Sequence, residues 1–154
     1  MPRVLIIAYG NPLRSDDGIA WRAVEELKRE PGTTTAEIIC VHQLMPELAE
    51  QVSHFENVVF VDASCEGELG TITCEPVSAR SADVQFWHQL TAESLLALSA
   101  QLFGIAPRAF SVSFSGESFD HGDTLSRAAT VGLPRLVARV SELVGHLADP
   151  SFAR

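Results

Sequence analysis

The stretch that decides the fold is Arg3-Val4-Leu5-Ile6-Ile7-Ala8, broken by Gly10-Asn11-Pro12. After Arg3 it is apolar without alternation, the pattern of a strand covered on both faces. A helix is expected next, from Asp17 to about Glu30. Its stripe is Ile19, Ala20, Ala23, Val24 and Leu27, and Pro31-Gly32 ends it. A buried strand followed by an amphipathic helix is the opening of an α/β unit.

The rest of the chain repeats that alternation. Strands are expected at Glu37–Val41, Val58–Val61 (closed by Asp62), Thr71–Cys74 at an edge, and Arg108–Phe114. Helices are expected at Pro46–Val52, from Thr91 as N-cap to Phe103 before Gly104, and from Thr124 to Leu147, with Pro134 kinking or splitting the last. Residues 76–90 and 115–123 read as irregular, and the tail after Asp149 as frayed. The expectation is one α/β domain over residues 1–154: a three-layer sandwich around a mostly parallel twisted sheet of about five strands.

Composition narrows the function. The 154 residues are 46% hydrophobic and carry a net charge of −9, so a nucleic-acid partner is not expected. No apolar run has the length of a membrane span or a secretory leader, so no membrane partner is expected either. Cys40, Cys65 and Cys74 form no CxxC motif and suit a reducing cytoplasm. Cys65 reads as a small buried hydrophobe. G-x-G-x-x-G, G-x-x-x-x-G-K-[ST], H-E-x-x-H and G-x-S-x-G are all missing, which removes support for dinucleotide, P-loop, zincin and α/β-hydrolase chemistry.

Ligands of an open parallel sheet bind beyond the carboxyl ends of its strands. Two such loops carry acids: Gly10-Asn11-Pro12-Leu13-Arg14-Ser15-Asp16-Asp17-Gly18 and Asp62-Ala63-Ser64-Cys65-Glu66-Gly67. The plain reading of Asp16-Asp17 is helix capping, and that of Asp62 is a turn. If the two strands are parallel neighbours, the carboxylates converge. With His88 they would make an oxygen/nitrogen set open to Zn²⁺, Ni²⁺ or Mn²⁺. His121, in Ser118-Phe119-Asp120-His121-Gly122-Asp123, is the competing histidine. Both histidines also fit an ordinary loop position, and His42, His54 and His146 fit only that.

Taken together, Gly10-Asn11 with Asp16-Asp17-Gly18, Val59-Phe60-Val61-Asp62-Ala63, His88-Gln89-Leu90-Thr91 and Gly116-Glu117-Ser118-Phe119-Asp120-His121-Gly122 resemble the nickel–iron hydrogenase maturation endopeptidases along nearly the whole chain. Ala20 stands where many members have Gly. The resemblance implies an endopeptidase that removes a short C-terminal peptide from the precursor of a hydrogenase large subunit after nickel insertion. It places Asp17, Asp62 and His88 as metal-ligating and catalytic residues. The divalent metal is then the substrate's nickel, and no organic cofactor is implied. Asn11, Asp16, Asp120 and His121 become substrate contacts along an open groove walled by residues 76–90 and 115–123, both more mobile than the sheet. The expected molecule is a cytoplasmic monomer. Two other readings use the same acids. One is a non-catalytic nickel-sensing module that docks on a metalloenzyme precursor. The other is a metal-free acid–base pair of Asp62 with Asp16 or Asp17, disfavoured because no Asp-Thr-Gly or Asp-Ser-Gly is present.

Overall fold

The computed structural model describes residues 3–33, 35–80 and 90–152. Its strands are β1 (Val4–Tyr9), β2 (Ala36–Val41), β3 (Asn57–Ser64), β4 (Ile72–Val77) and β5 (Arg108–Ser115). They lie in the order β2-β1-β3-β5-β4, all parallel except β4, which pairs antiparallel with β5 at the edge. The helices are α1 (Ile19–Leu27), α2 (Leu48–Ser53), α3 (Ala92–Phe103) and α4 (Arg127–Ala148). The expected three-layer α/β sandwich is the observed one.

Side-chain alternation along each strand divides the core in two. Val4, Ile6 and Ala8 of β1, with Val59, Val61, Val112 and Phe114, pack against α1 and α4. Leu5 and Ile7, with Val58 and Phe60, pack against α2 and α3. Residues of β1 are therefore buried on both faces, as its unbroken apolar run requires. Close packing constrains small residues too. A Cβ on Gly132 of α4 would sit 2.3 Å from Cε1 of Phe114.

Several boundaries differ from expectation, each for a local reason. β3 does not close at Asp62 but runs on to Ser64, because β5 continues beside it and pairs Asp62 with Ser113 and Ser64 with Ser115. The edge strand β4 reaches Val77 and includes Pro76, which an edge position tolerates. α1 begins at Ile19 after a 3₁₀ turn over Ser15–Gly18, and ends at Leu27. α4 begins at Arg127 because Ser126 is its N-cap. Pro134 does not split α4. Its ring is exposed, so the Thr130 carbonyl that lacks a helical N–H partner stays near water. The tail past Asp149 is closed by a turn over Pro150–Phe152, with the Asp149 carboxylate accepting from Ser151. α3 matches expectation at both ends. The Thr91 hydroxyl caps it, and Gly104 at φ 75 terminates it.

Candidate functional site

β1 and β3 are parallel neighbours, with Ala8 opposite Val61. Their carboxyl ends therefore release the two acidic loops side by side. Gly10 makes the first turn possible. Its φ is +150, and a Cβ there would lie 2.2 Å from the Asp17 carbonyl oxygen. The Asn11 N–H can thus donate to Asp17 Oδ2 at 2.7 Å, which fixes the Asp17 carboxylate against the end of β1. Asn11 spends its side-chain oxygen on the Leu13 N–H, an Asx-type turn. The Trp21 indole closes the same turn by donating to the Gly10 carbonyl.

The two adjacent acids have separate places. Asp17 is half-buried at the end of the sheet. Asp16 is fully buried and accepts four hydrogen bonds, from the Glu117, Ser118 and Ser126 N–H groups and the Ser126 hydroxyl. Burial alone would raise its carboxyl; the bonds from Ser126, Glu117 and Ser118 outweigh that and hold it below its ordinary value. The expected substrate contact at Asp16 is therefore corrected, because its oxygens are enclosed and already bonded. The capping reading also needs correction. α1 has Gly18 as its N-cap residue and no side-chain cap, whereas Asp16 binds the N-cap residue of α4, 110 residues away.

Asp62 lies on the face of the sheet that α2 and α3 cover. Burial pushes its carboxyl above the usual carboxylate range, and the Asp17 charge adds to that rise. Hydrogen bonding by Ser113 and Tyr9 opposes it. Tyr9 ends β1 and Ser113 is the register partner of Asp62 on β5, so both hydroxyls reach the carboxylate from neighbouring strands. Burial, then the negative charge of Asp62, drive the Tyr9 phenol well above its ordinary value. Asp62 Oδ1 is nevertheless buried with no hydrogen-bond partner among the described residues. An orphaned carboxylate oxygen is costly unless a ligand satisfies it.

Sequence reasoning missed Tyr9 and Ser113. Ser113 had a signal: Ser111-Val112-Ser113-Phe114-Ser115 alternates polar with apolar, so one face of β5 was marked as polar. Tyr9 is the single tyrosine of the chain and ends its most apolar strand, where a phenol needs a partner.

The expected histidine ligand, His88, lies outside the described residues, as does most of the expected wall at 76–90. Among the described residues no three His, Cys, Asp or Glu side chains are gathered in a metal-binding group. His121 consequently does not join Asp17 and Asp62 as a third ligand. His121 and Asp120 are exposed on the loop after β5. That loop is held more tightly than expected. Ser15 binds the Gly122 and Asp120 carbonyls, Arg14 binds the Phe119 carbonyl, and Gly122 binds the Leu13 carbonyl. Cys65 is exposed rather than buried, because it follows β3 beyond the edge of the core. Beside the Gly10 turn, an open groove of about 440 Å³ is lined by Cys40, Val41, His42, Gln43, Met45, Glu47 and Leu48. The His42 ring packs on Trp21 at 5.1 Å.

No family model matches the sequence, and no curated protein does. Solved structures match over nearly the whole chain. HybD, a [NiFe] hydrogenase maturation protease from Thermococcus kodakarensis, superposes with a TM-score of 0.69 and 22% identity, covering 92% of this chain and 99% of that one. The fold is that of the hydrogenase maturation proteases. The protease HycI from Thermococcus kodakarensis KOD1 gives a TM-score of 0.72 at 21% identity, over 93% and 92% of the two chains. The hydrogenase-maturating endopeptidase HybD of E. coli gives 0.70 at 20%, over 90% and 89%. No described helix in this hydrogenase-maturation-protease fold is long and apolar enough to cross a membrane.

Proposed function

We propose that this protein is an endopeptidase that removes a C-terminal peptide from the precursor of a nickel–iron hydrogenase large subunit, in the cytoplasm, as a monomer. The observation that carries the reading is the pair Asp17 and Asp62 at the carboxyl ends of adjacent parallel strands, with Asp62 Oδ1 buried and without a partner among the described residues. A divalent cation would satisfy that oxygen. Oxygen ligands with open positions suit a cation that arrives with the substrate, here the precursor's nickel. Asp17, Asp62 and His88 are the residues proposed to hold it, and the chemistry it would supply is polarisation of a carbonyl.

This chain's own part is positioning. The Asn11 N–H fixes Asp17. Tyr9 and Ser113 orient Asp62 from either side. Asp120 and His121 stand exposed on a pinned loop, where they can meet an extended tail. The three cysteines are free thiols, which agrees with a reducing compartment.

The test is incubation with a nickel-loaded precursor. Wild-type protein should release the C-terminal peptide, and Asp17→Asn, Asp62→Asn and His88→Ala should not. A precursor left whole by wild type refutes the peptidase reading. Normal cleavage by all three variants refutes the site. A nickel-dependent complex that forms without releasing peptide would assign the protein as a non-catalytic binding module.

A further inference from the structure

β1, β2, β3 and β5 are parallel, so the loops that follow them emerge at one end of the sheet, around Asp17 and Asp62. Three of those loops each expose one large apolar side chain: Leu13 at 63%, Met45 at 39% and Leu69 at 49%. One such residue would be unremarkable. One from each of three adjacent loops makes an apolar rim, and the Met45 side opens into the groove beside His42.

The rim is rigidly presented. The Leu13 carbonyl accepts from the Gly122 N–H. The segment holding Leu69 is closed by Gly70 N–H to the Ser115 carbonyl and by Arg135 to the Gly70 carbonyl. A preformed surface loses little freedom when a partner covers it.

Charge says what kind of partner fits. Residues 10–18, 42–47, 65–71 and 116–126 hold eight carboxylates and one arginine, and Arg22 and Arg135 reach in to the Asp123 and Gly70 carbonyls, so carboxylates outnumber cations among these groups. Glu47, Glu66, Glu68, Glu117, Asp120 and Asp123 are all exposed. None is in an ion pair among the described residues. A second copy of this chain would bring the same negative field to the contact and be repelled.

We infer that this end of the sheet is a docking surface for a folded protein whose own contact is apolar at the centre and ringed by lysine and arginine. The inference rests on the proposed function: the partner is the body of the precursor, held while its tail enters the site. The apolar rim contributes affinity, and the acids steer encounter and select a basic partner.

The experiment is calorimetry of purified precursor with wild type, Leu13→Ser/Leu69→Ser and Glu66→Lys/Glu68→Lys, with KM and kcat measured on the same precursor. All four side chains are exposed, so the melting temperature should not change. Each double variant should weaken Kd about tenfold and raise KM, with kcat unchanged. Wild-type affinity should fall at least about fivefold between roughly 0.05 M and 0.5 M salt. Variants within about twofold of wild type, or affinity indifferent to salt, would overturn the inference. A wild-type dimer that Leu13→Ser/Leu69→Ser dissolves would also overturn it and assign the rim to a second copy. Binding is read whether or not the precursor is cut, so tight salt-dependent binding without cleavage refutes the peptidase reading alone.

Discussion

Asp16→Asn should destabilise this protein severely although Asp16 is closed to any substrate. Oδ2 accepts from the Glu117 N–H at 2.7 Å, the Ser118 N–H at 3.2 Å and the Ser126 hydroxyl at 2.7 Å, and Oδ1 accepts from the Ser126 N–H at 2.7 Å. An asparagine can keep its oxygen at the Oδ2 position. Its NH₂ then faces the Ser126 N–H, and two donors meet. The three retained bonds lose their charge, worth about 1 kcal/mol each, and the opposed donor costs about 1–3 kcal/mol more. Because the four bonds act as one network, the sum is not additive; about 4 kcal/mol is the expected loss. In a domain of this size that lowers Tm by roughly 8–16 °C. Thermal and urea unfolding followed by circular dichroism would measure it. The pH dependence supplies a second check. The folded pKa of Asp16 lies below its unfolded value, so its contribution is full above about pH 4 and is lost as pH falls through the folded pKa. The gap between wild type and variant should therefore narrow in acid. A variant within about 0.5 kcal/mol of wild type at pH 7 would refute the network argument, and a gap as wide at pH 3 would refute the role of the charge.

Asp62→Asn should act in the opposite direction. The folded pKa of Asp62 is raised, so its stabilising contribution is complete at low pH and lost as pH climbs through the folded pKa; removing the charge should raise Tm at pH 7, with the gain over wild type vanishing in acid, while abolishing the proposed cleavage. Gly10→Ala should cut activity at least about tenfold, because its Cβ would meet the Asp17 carbonyl oxygen and displace the carboxylate that Asn11 holds, and peptide release from the precursor measures it. Gly132→Ala should destabilise by about 1–3 kcal/mol in urea unfolding, since its methyl would press on the buried Phe114 ring.

The sequence carried the architecture because the fold's largest energetic term is written in apolar periodicity. The unbroken run of β1 needed two covering layers, and both are present in the two halves of the core. Helix caps were legible where they are local, as at Thr91 and Gly104. They were illegible where they are not: nothing near Asp16 in sequence shows that it belongs to the start of α4. The same distinction governs the site. Asp17 and Asp62 could be paired in advance, because two parallel neighbouring strands must bring their following loops together. Tyr9 and Ser113 could not be assigned to Asp62 without the register that aligns β1, β3 and β5.

That register also explains why a costly group sits where it does. Along β3 the side chains facing α2 and α3 run Val58, Phe60 and then Asp62. Continuing the pattern with another apolar residue would be more stable, yet at that step the face changes to a carboxylate with a tyrosine and a serine turned toward it. Two hydroxyls supply part of what water would have given the charge, and Oδ1 has no partner among the described residues. The sheet thus holds Asp62 in a state that, under the proposed function, a cation would relieve. Under that proposal, this is the stability that a binding site gives up to be ready before its ligand arrives.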